Sequence, residues 1–247
     1  IGNKTIDVKM LIDAGGSDAL WLFENSKVAI KTPTRYFNDI LGEGLSGAIF
    51  GNRSRIPKFK MGKFEIENPT VSFLDSASTH NARKFKQRNG SIGGNILKRF
   101  KVWIDYPNKK LTLKKNGSFS RGFNYNMSGL DVVYHGKQLV KEKVSQKYKT
   151  PYDREINNRN SVSFVTKYAF NFKPTYIVRK VIDDSPADKV GLQKGDIIIK
   201  INGKPSHEFT LADIINRFQE KDKKKVRITV NRNSEKIKFE FRLEKKI

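Results

Sequence analysis

The chain has 247 residues, no cysteine and three histidines without metal-ligand spacing, so disulfides, a cysteine nucleophile and a zinc site are disfavoured and no cofactor is expected. Its length suffices for two ordinary domains or one large one, and no run of about twenty apolar residues predicts a transmembrane segment. The 49 Lys+Arg against 25 Asp+Glu give a formal charge of +24, but the basic residues are spread along the chain without a nucleic-acid-binding motif, so nucleic acid is not the expected partner.

The first predicted strand ends at a carboxylate. From Thr5 to Ile12, apolar residues recur at the period of a β-strand. The strand leads into a glycine turn with the sequence Asp13-Ala14-Gly15-Gly16-Ser17-Asp18. The preceding Gly2-Asn3-Lys4-Thr5 is typical of a hairpin turn. Since only Ile1 remains of the strand before that turn, we expect the chain to have been cut within a domain.

A glycine-rich segment lies between Leu41 and Gly51. The conformational freedom of glycine allows a mobile or sharply bent chain, so the segment is a candidate flap or simply a loop. Its glycines are Gly42, Gly44, Gly47 and Gly51.

Two further features complete a β-rich domain predicted over residues 1–117. The pair Ile92-Gly93 precedes a predicted short helix that contains Leu97. Strands at 100–104 and 110–114 are predicted to form a hairpin, because the intervening Asp105-Tyr106-Pro107-Asn108 favours a tight turn.

Residues 118–160 lose clear periodicity. The stretch 137–154 is polar and mostly basic. We therefore predict a basic linker here, with room for an extra pair of strands.

Regular patterning returns in residues 161–247, which predict a small α+β domain. A short helix is expected after Ser185, a good N-cap, with Pro186 at its first position and Gly191 beyond its end. The strand that follows ends in an Asn202-Gly203 turn.

A second helix is predicted to begin at Thr210, where Asp213 completes a capping box. Apolar residues recur at helical spacing along one face. They are Leu211, Ile214, Ile215 and Phe218.

The order of motifs in residues 5–116 resembles one lobe of a retroviral-type or pepsin-like aspartic protease. That family carries hydrophobic-hydrophobic-Asp-x-Gly, then hydrophobic-Gly, a short helix with a leucine, and a closing hairpin. The resemblance implies that Asp13 is a catalytic carboxylate in an active-site turn of Ala14, Gly15, Gly16, Ser17 and Asp18. It also implies that the last three lie along the substrate backbone, while Ile92 and Gly93 support the turn by passing close beside it.

The family's chemistry needs two carboxylates that share one proton, and this chain has a single Asp-x-Gly. The resemblance implies a second lobe as partner, supplied by a missing upstream chain or, as the less favoured option, by a homodimer. Ala14 departs from the family's Thr or Ser, whose hydroxyl bonds across the lobe interface. Losing such a bond costs on the order of 1 kcal/mol, so the activity of this chain alone is an open question.

The second domain resembles a bacterial PDZ domain of the type attached to proteases, on the residues 176–181, 185–192 and 194–204. PDZ domains bind extended peptides by strand addition. The resemblance implies a peptide-binding strand and turn made by Pro174, Thr175, Tyr176, Ile177 and Val178, facing the helix with Leu211, Ile214, Ile215 and Phe218. The turn lacks the usual glycine-rich signature, which favours internal segments over free carboxyl termini.

The sequence thus predicts a mainly β protein, with a single aspartic-protease-like β lobe followed by a small α+β PDZ domain. We expect the carboxyl-terminal part of a bacterial aspartic endopeptidase whose partners are a polypeptide substrate or peptide ligand. Two alternatives stay open: a catalytically degenerate peptide-binding scaffold, and a polyanion-binding protein whose affinity would fall steeply with salt. The resemblance also implies a location in the cell envelope or outside the cell.

Overall fold

The computed structural model describes residues 5–24, 29–44, 47–74, 87–148 and 163–247. The chain is mainly β, as predicted, and divides into two compact units. Unit 1 comprises residues 1–128 with Phe218–Lys224 and Leu243–Ile247, and unit 2 comprises Gly129–Arg217 with Lys225–Arg242. None of the described helices is long and apolar enough to span a membrane. The turn predicted at residues 2–5 lies almost wholly outside the described residues.

Unit 1 contains a six-stranded sheet in the order β1-β8-β2-β7-β4-β3. Strand β8 pairs in parallel with β1 and antiparallel with β2, so it lies between two strands that are consecutive in the chain. The strands are β1 (Met10–Ile12), β2 (Leu20–Phe23), β3 (Phe37–Gly44), β4 (Gly47–Arg55), β7 (Thr70–Leu74) and β8 (Gly90–Ile92).

Two hairpins and one short helix accompany this sheet. The helix α1 (Gly94–Leu97) follows β8 directly, as predicted. The predicted closing hairpin is confirmed, with β9 (Phe100–Asp105) antiparallel to β10 (Lys110–Lys115). The other hairpin joins β5 (Lys58–Met61) and β6 (Phe64–Glu67).

The core of unit 1 forms where alternating apolar residues of the sheet meet α1 and the hairpins. Leu20 and Leu22 of β2 are buried because they point to the same face of their strand. Burial of each such side chain contributes about 1.5–3 kcal/mol relative to exposure. The same cluster includes Val71, Phe73, Ile92, Ile96 and Phe100.

The strand predicted from Thr5 is shorter than expected. Only Met10–Ile12 is β-strand, since its partner β8 offers three residues for pairing. The prediction from the alternating pattern that β1 begins at Thr5 is therefore wrong, since β1 begins at Met10.

Unit 2 contains a sheet in the order β11-β12-β13-β15-β16, with β14 added to β13. Its core is apolar, including Val178, Ile198, Ile201, Ile214 and Val230. The strands are β11 (Leu130–Tyr148), β12 (Ser163–Val181), β13 (Ile197–Ile201), β14 (Lys204–Pro205), β15 (Lys225–Arg232) and β16 (Glu235–Arg242). The helices are α2 (Pro186–Lys189), a 3-10 turn (Ser206–Glu208) and α3 (Leu211–Arg217).

Both predicted helix starts in unit 2 carry the expected caps. The Ser185 hydroxyl accepts a hydrogen bond from the Asp188 amide at 3.3 Å. The Asp213 carboxylate accepts from the Thr210 amide at 2.9 Å, and the Thr210 hydroxyl accepts from the Asp213 amide at 3.2 Å. Local sequence therefore sets both helix starts.

The segment predicted as a basic linker with room for an extra pair of strands contains a long strand among its described residues. β11 occupies Leu130–Tyr148, and Lys137–Tyr148 pairs with Ser163–Pro174 of β12. Such a ribbon satisfies its backbone by cross-strand hydrogen bonds, so it needs no buried apolar face, and its polar sequence gives only a weak strand pattern. The domain limits predicted at residues 117 and 160 stay predictions.

Candidate functional site

The Asp13 carboxylate lies in a tight turn at the end of β1. Its Oδ1 accepts hydrogen bonds from the backbone amides of Gly15 at 3.1 Å and Gly16 at 3.0 Å. The Asp13 amide donates to the Ile92 carbonyl at 2.9 Å, which ties the turn to β8. A Cβ on Gly16 would lie 3.1 Å from Asp13 Oδ2, a tight contact that the carboxylate would have to shift to relieve. The turn thus presents a half-buried carboxylate on a fixed backbone.

Ile92 and Gly93 pass directly beside this turn. The Gly93 amide donates to the Ala19 carbonyl at 2.9 Å, and the next amide, of Gly94, donates to the Gly16 carbonyl at 2.6 Å. A Cβ on Gly93 would lie 2.3 Å from the Asp18 carbonyl oxygen, a separation that no side chain tolerates. Position 93 therefore requires glycine, because its backbone lies in direct contact with the backbone of the Asp13 turn.

The Asp18 side chain points into unit 1. Its Oδ2 accepts hydrogen bonds from Trp21 Nε1 and from the Ser72 hydroxyl, both at 2.8 Å. Its Oδ1 accepts from Arg53 at 2.9 Å. The side chain turns inward because these three donors surround it, and the position of Asp18 along a substrate backbone stays a prediction.

Arg53 joins two carboxylates in the interior, an arrangement that the sequence did not predict. Its Nε donates to Asp39 Oδ2 at 2.6 Å, and its Nη1 donates to Asp18 Oδ1. Burial opposes the charged form of Arg53, yet the carboxylates of Asp18 and Asp39 raise the pKa of Arg53 above its ordinary value. Burial raises the pKa of Asp39, while Arg53 opposes that rise. We name these three residues the Arg53 triad; it connects β3 and β4 to the Asp13 turn.

A second arginine lies near the Asp13 carboxylate. Arg88 donates from Nε to the Gly90 carbonyl at 3.1 Å and from Nη2 to the Ser91 hydroxyl at 2.8 Å. Burial lowers the pKa of Arg88, and the negative charge of Asp13 opposes that shift. The Arg88 guanidinium and the Asp13 carboxylate therefore lie close enough to interact electrostatically.

The candidate flap glycines lie on the β3–β4 hairpin, whose residues 45–46 fall outside the described part of the chain. Gly42 and Gly44 belong to β3, and Gly47 and Gly51 belong to β4. Gly51 pairs with Leu74 of β7, and a Cβ there would lie 2.5 Å from the Phe73 carbonyl oxygen. Gly51 is thus a sheet-packing glycine, and its prediction as a mobile flap position is wrong.

The described residues place no second carboxylate in hydrogen-bond contact with Asp13, and they contain no acidic or histidine cluster suited to a metal. Within the described residues Asp13 is therefore a single carboxylate without an acidic neighbour in hydrogen-bond contact.

In unit 2, β12 is paired on both edges where the sequence placed a peptide. Tyr176 and Ile177 pair with β11 on one side and with β13 on the other. Pro174 also pairs with β11, opposite Lys137. Along residues 131–134 of β11, no described strand pairs with the edge away from β12, and α3 lies beside this strand.

Comparison with known families assigns part of unit 2. The model of the PDZ domain family matches residues 177–232. These residues form a PDZ domain. No curated protein matches the chain.

Two solved structures resemble the chain loosely. They are an HtrA-type protease, AlgW, with a decapeptide, and its serine-to-alanine variant with a decapeptide. Identities are 12% and 13%, each match covers 80% of this chain, and both TM-scores are 0.28. The chain spans 45% and 44% of those chains, less than half of their length. Superpositions this loose carry no inference about mechanism.

The pairing in the PDZ domain corrects the predicted groove strand. Strand addition needs an unpaired edge, and β12 offers none at Tyr176 or Ile177. Thr175, Tyr176 and Val178 are buried, and the Tyr176 hydroxyl donates to the Phe209 carbonyl at 2.6 Å. Tyr176 and Ile177 therefore cannot take an added strand, and the prediction that they do so is wrong.

The apolar positions of α3 have two different environments. Ile214 is fully buried, and Phe218, which follows the helix, is also buried. Leu211 is half-buried and Ile215 is 37% exposed. Of the four predicted contact residues, only Leu211 and Ile215 are accessible to a ligand.

Proposed function

We propose that the chain is part of an aspartic endopeptidase and that Asp13 is one of its two catalytic carboxylates. The observation that carries the proposal is the fixed Asp13 turn, held by two glycine amides and threaded closely by Gly93. A carboxylate presented in this way could share a proton with a second one, so that one activates water while the other protonates the scissile carbonyl. The second carboxylate would come from another lobe.

The proposed pair of carboxylates imposes a condition on that chemistry. When a second carboxylate approaches, the pair would hold one proton between them, because two like charges a hydrogen bond apart cannot both ionise. The dyad would then titrate as a unit, and catalysis would need its singly protonated form.

The test uses the full-length protein and an unfolded, fluorescently labelled casein as substrate, from acidic to neutral pH. Asp13→Asn should reduce cleavage to background, since the neutral amide cannot share the proton. Asp7→Asn, an exposed carboxylate before β1, is the matched control and should retain cleavage. Undiminished cleavage by Asp13→Asn, or none by the parent protein at any pH, would refute the proposal.

We also propose that the PDZ domain binds extended polypeptide along residues 131–134 of β11, between that strand and α3. The accessible side chains of Leu211 and Ile215 support this placement, since PDZ domains take a peptide as an added strand facing a helix. Binding there would hold polypeptide substrate on the same chain as Asp13 and raise its effective concentration.

Peptide binding can be measured on an array of ten-residue peptides with free and amidated carboxyl termini. Ile215→Ser should weaken the binding of the retained peptides, whereas Ile104→Ser, at a more exposed isoleucine on β9, should leave it unchanged. Equal weakening of peptide binding by both variants would contradict binding between β11 and α3. Retention of amidated peptides would show recognition of internal segments.

A non-catalytic scaffold is the second candidate function, and Ala14 favours it because it lacks a hydroxyl to bond across a lobe interface. Peptide retention without casein cleavage in the full-length protein would select this function. A location in the cell envelope or outside the cell stays part of the proposal, on family resemblance alone.

A further inference from the structure

The paired parts of β11 and β12 beyond the PDZ sheet form a ribbon with two unlike faces. We define the distal ribbon as residues 137–144 paired with 167–174. Only residues 176 and 177 of β12 pair with β13, so among the described residues the distal ribbon is two strands wide. Side chains directly opposite each other in such a ladder share a face.

One face of the distal ribbon is aromatic and cationic, and we call it the aromatic face. Leu139 stands opposite Phe172, Lys141 opposite Phe170, and Lys143 opposite Tyr168. The ammonium of Lys141 lies 4.0 Å from the centre of the Tyr168 ring, a cation–π contact. From 137 to 143 and from 168 to 174, no acidic residue falls on this face.

The opposite face carries one carboxylate, Glu142, and two lysines, Lys167 and Lys173. Glu142 accepts a hydrogen bond from Asn171 at 2.7 Å and pairs with Lys173 at 3.2 Å. The charge of this carboxylate is thus neutralised within its own face. The aromatic face, by contrast, carries three lysines and no carboxylate.

The apolar side chains of the aromatic face are open to solvent. Phe170 is 61% exposed, Phe172 is 71% exposed and Leu139 is 58% exposed. Clustered exposed apolar groups of this size are characteristic of an interaction surface, because their hydration is unfavourable. A partner should cover the rings while offering negative charge to Lys137, Lys141 and Lys143.

We propose that the aromatic face docks the protein onto the surface of an anionic phospholipid bilayer. Phe170, Phe172 and Leu139 would enter the boundary between headgroups and acyl chains, and the lysines would stay at the level of the lipid phosphates. A bilayer surface is planar and deformable, so the rings and lysines along the distal ribbon can contact it together. Single-stranded nucleic acid is less suitable, because its proteins track it in grooves and stack bases on rings, and Leu139 has no ring.

The charge of the whole chain agrees with this partner. A formal charge of +24 directs the protein toward an anionic surface before any specific contact forms. Near such a membrane each lysine contributes about fivefold to the partition constant, and salt weakens that contribution. The rings supply the salt-resistant part of the binding.

The experiment is sedimentation of the full chain with vesicles, either of phosphatidylcholine alone or of two parts phosphatidylcholine to one part phosphatidylglycerol. We expect binding to the second kind only. Phe170→Ser with Phe172→Ser should abolish it, and Lys141→Gln with Lys143→Gln should weaken it about 25-fold, as two fivefold contributions. Val144→Ser, on the opposite face, is the matched apolar control and should bind as the parent does.

Circular dichroism of each variant checks that the sheet persists. Equal binding to both vesicles, no binding to either, or binding that survives the double phenylalanine variant would overturn the proposal. So would two findings that assign the aromatic face to another partner. One is retention of a single-stranded oligonucleotide that both double variants abolish, and the other is self-association in sedimentation velocity that the phenylalanine variant abolishes.

Discussion

Replacing Arg53 by methionine tests whether the Arg53 triad holds the Asp13 turn to β3 and β4. Methionine keeps most of the volume and removes the guanidinium, so Asp18 and Asp39 lose the cation that lies 2.9 Å and 2.6 Å away. Asp18 keeps its bonds from Trp21 and Ser72. Breaking a buried ion pair from one side costs about 3–5 kcal/mol, and here two carboxylates lose one shared partner. We expect a loss toward the upper end of that range.

Urea unfolding gives this loss directly. In a Trp103→Phe background Trp21 is the sole tryptophan, and it reports on unit 1 through its bond to Asp18. With a denaturant slope of about 2 kcal/mol per molar, the midpoint should fall by about 2 M. Lys58→Met is the control, because Lys58 pairs with Glu65 on the surface and should change nothing measurable.

The pH dependence of the Arg53→Met loss follows from Asp39. Burial raises the pKa of this carboxyl, and the variant removes the cation that opposes the rise. A carboxyl whose folded pKa exceeds its unfolded value of about 3.9 destabilises the fold as pH rises through that range. The loss should therefore be smaller at about pH 4 than at pH 7. A loss below about 1 kcal/mol, or one that grows on acidification, would refute the role assigned to the triad.

Two further predictions concern single contacts. Gly93→Ala should lower the thermal midpoint of unit 1 strongly, because its Cβ would meet the Asp18 carbonyl oxygen at 2.3 Å, whereas Gly117→Ala has open space and should not. Similar thermal midpoints for Gly93→Ala and Gly117→Ala would contradict the close backbone contact of Gly93 with the Asp13 turn. Thr210→Ala should raise the pKa of Asp213, which the Thr210 hydroxyl and amide now hold below its usual range, and Thr210→Ser should keep it low. Because a lowered carboxyl pKa stabilises above the unfolded value, this capping contribution should fade as pH drops through the folded pKa. An NMR titration of Asp213 that is identical in all three proteins would contradict the capping contact.

Features fixed by a few adjacent residues could be predicted from the sequence. Thr210 and Asp213 are three positions apart and form a hydrogen bond with each other, so the capping box can be recognised from the sequence alone. The turn of the β9–β10 hairpin is equally local, and the Asp105 carboxylate accepts from the Asn108 amide at 3.1 Å. The Asp13 turn belongs to the same class, since its amide donors are two and three residues away.

Features that depend on distant pairing could not be predicted. Periodicity indicated that 176–181 is a strand, but whether its edges are free depends on β11 and β13, which the strand's own residues do not encode. The same holds for the distal ribbon. Its polar and basic sequence lacks a buried face, so it has no apolar signature beyond the exposed rings of β12.

Asp18 shows that the candidate site contains both kinds of feature, those set by adjacent residues and those that depend on distant residues. Its position in the turn is local and was predicted, but the direction of its carboxylate depends on Arg53, thirty-five residues later in the chain. An inward carboxylate matched to a buried cation stabilises the turn without adding negative charge to the surface near Asp13. With Arg88 as the nearby cation, Asp13 is then the carboxylate of this turn that the proposed dyad would use. A single carboxylate has little chemistry alone, so the proposed activity depends on a partner that shares its proton.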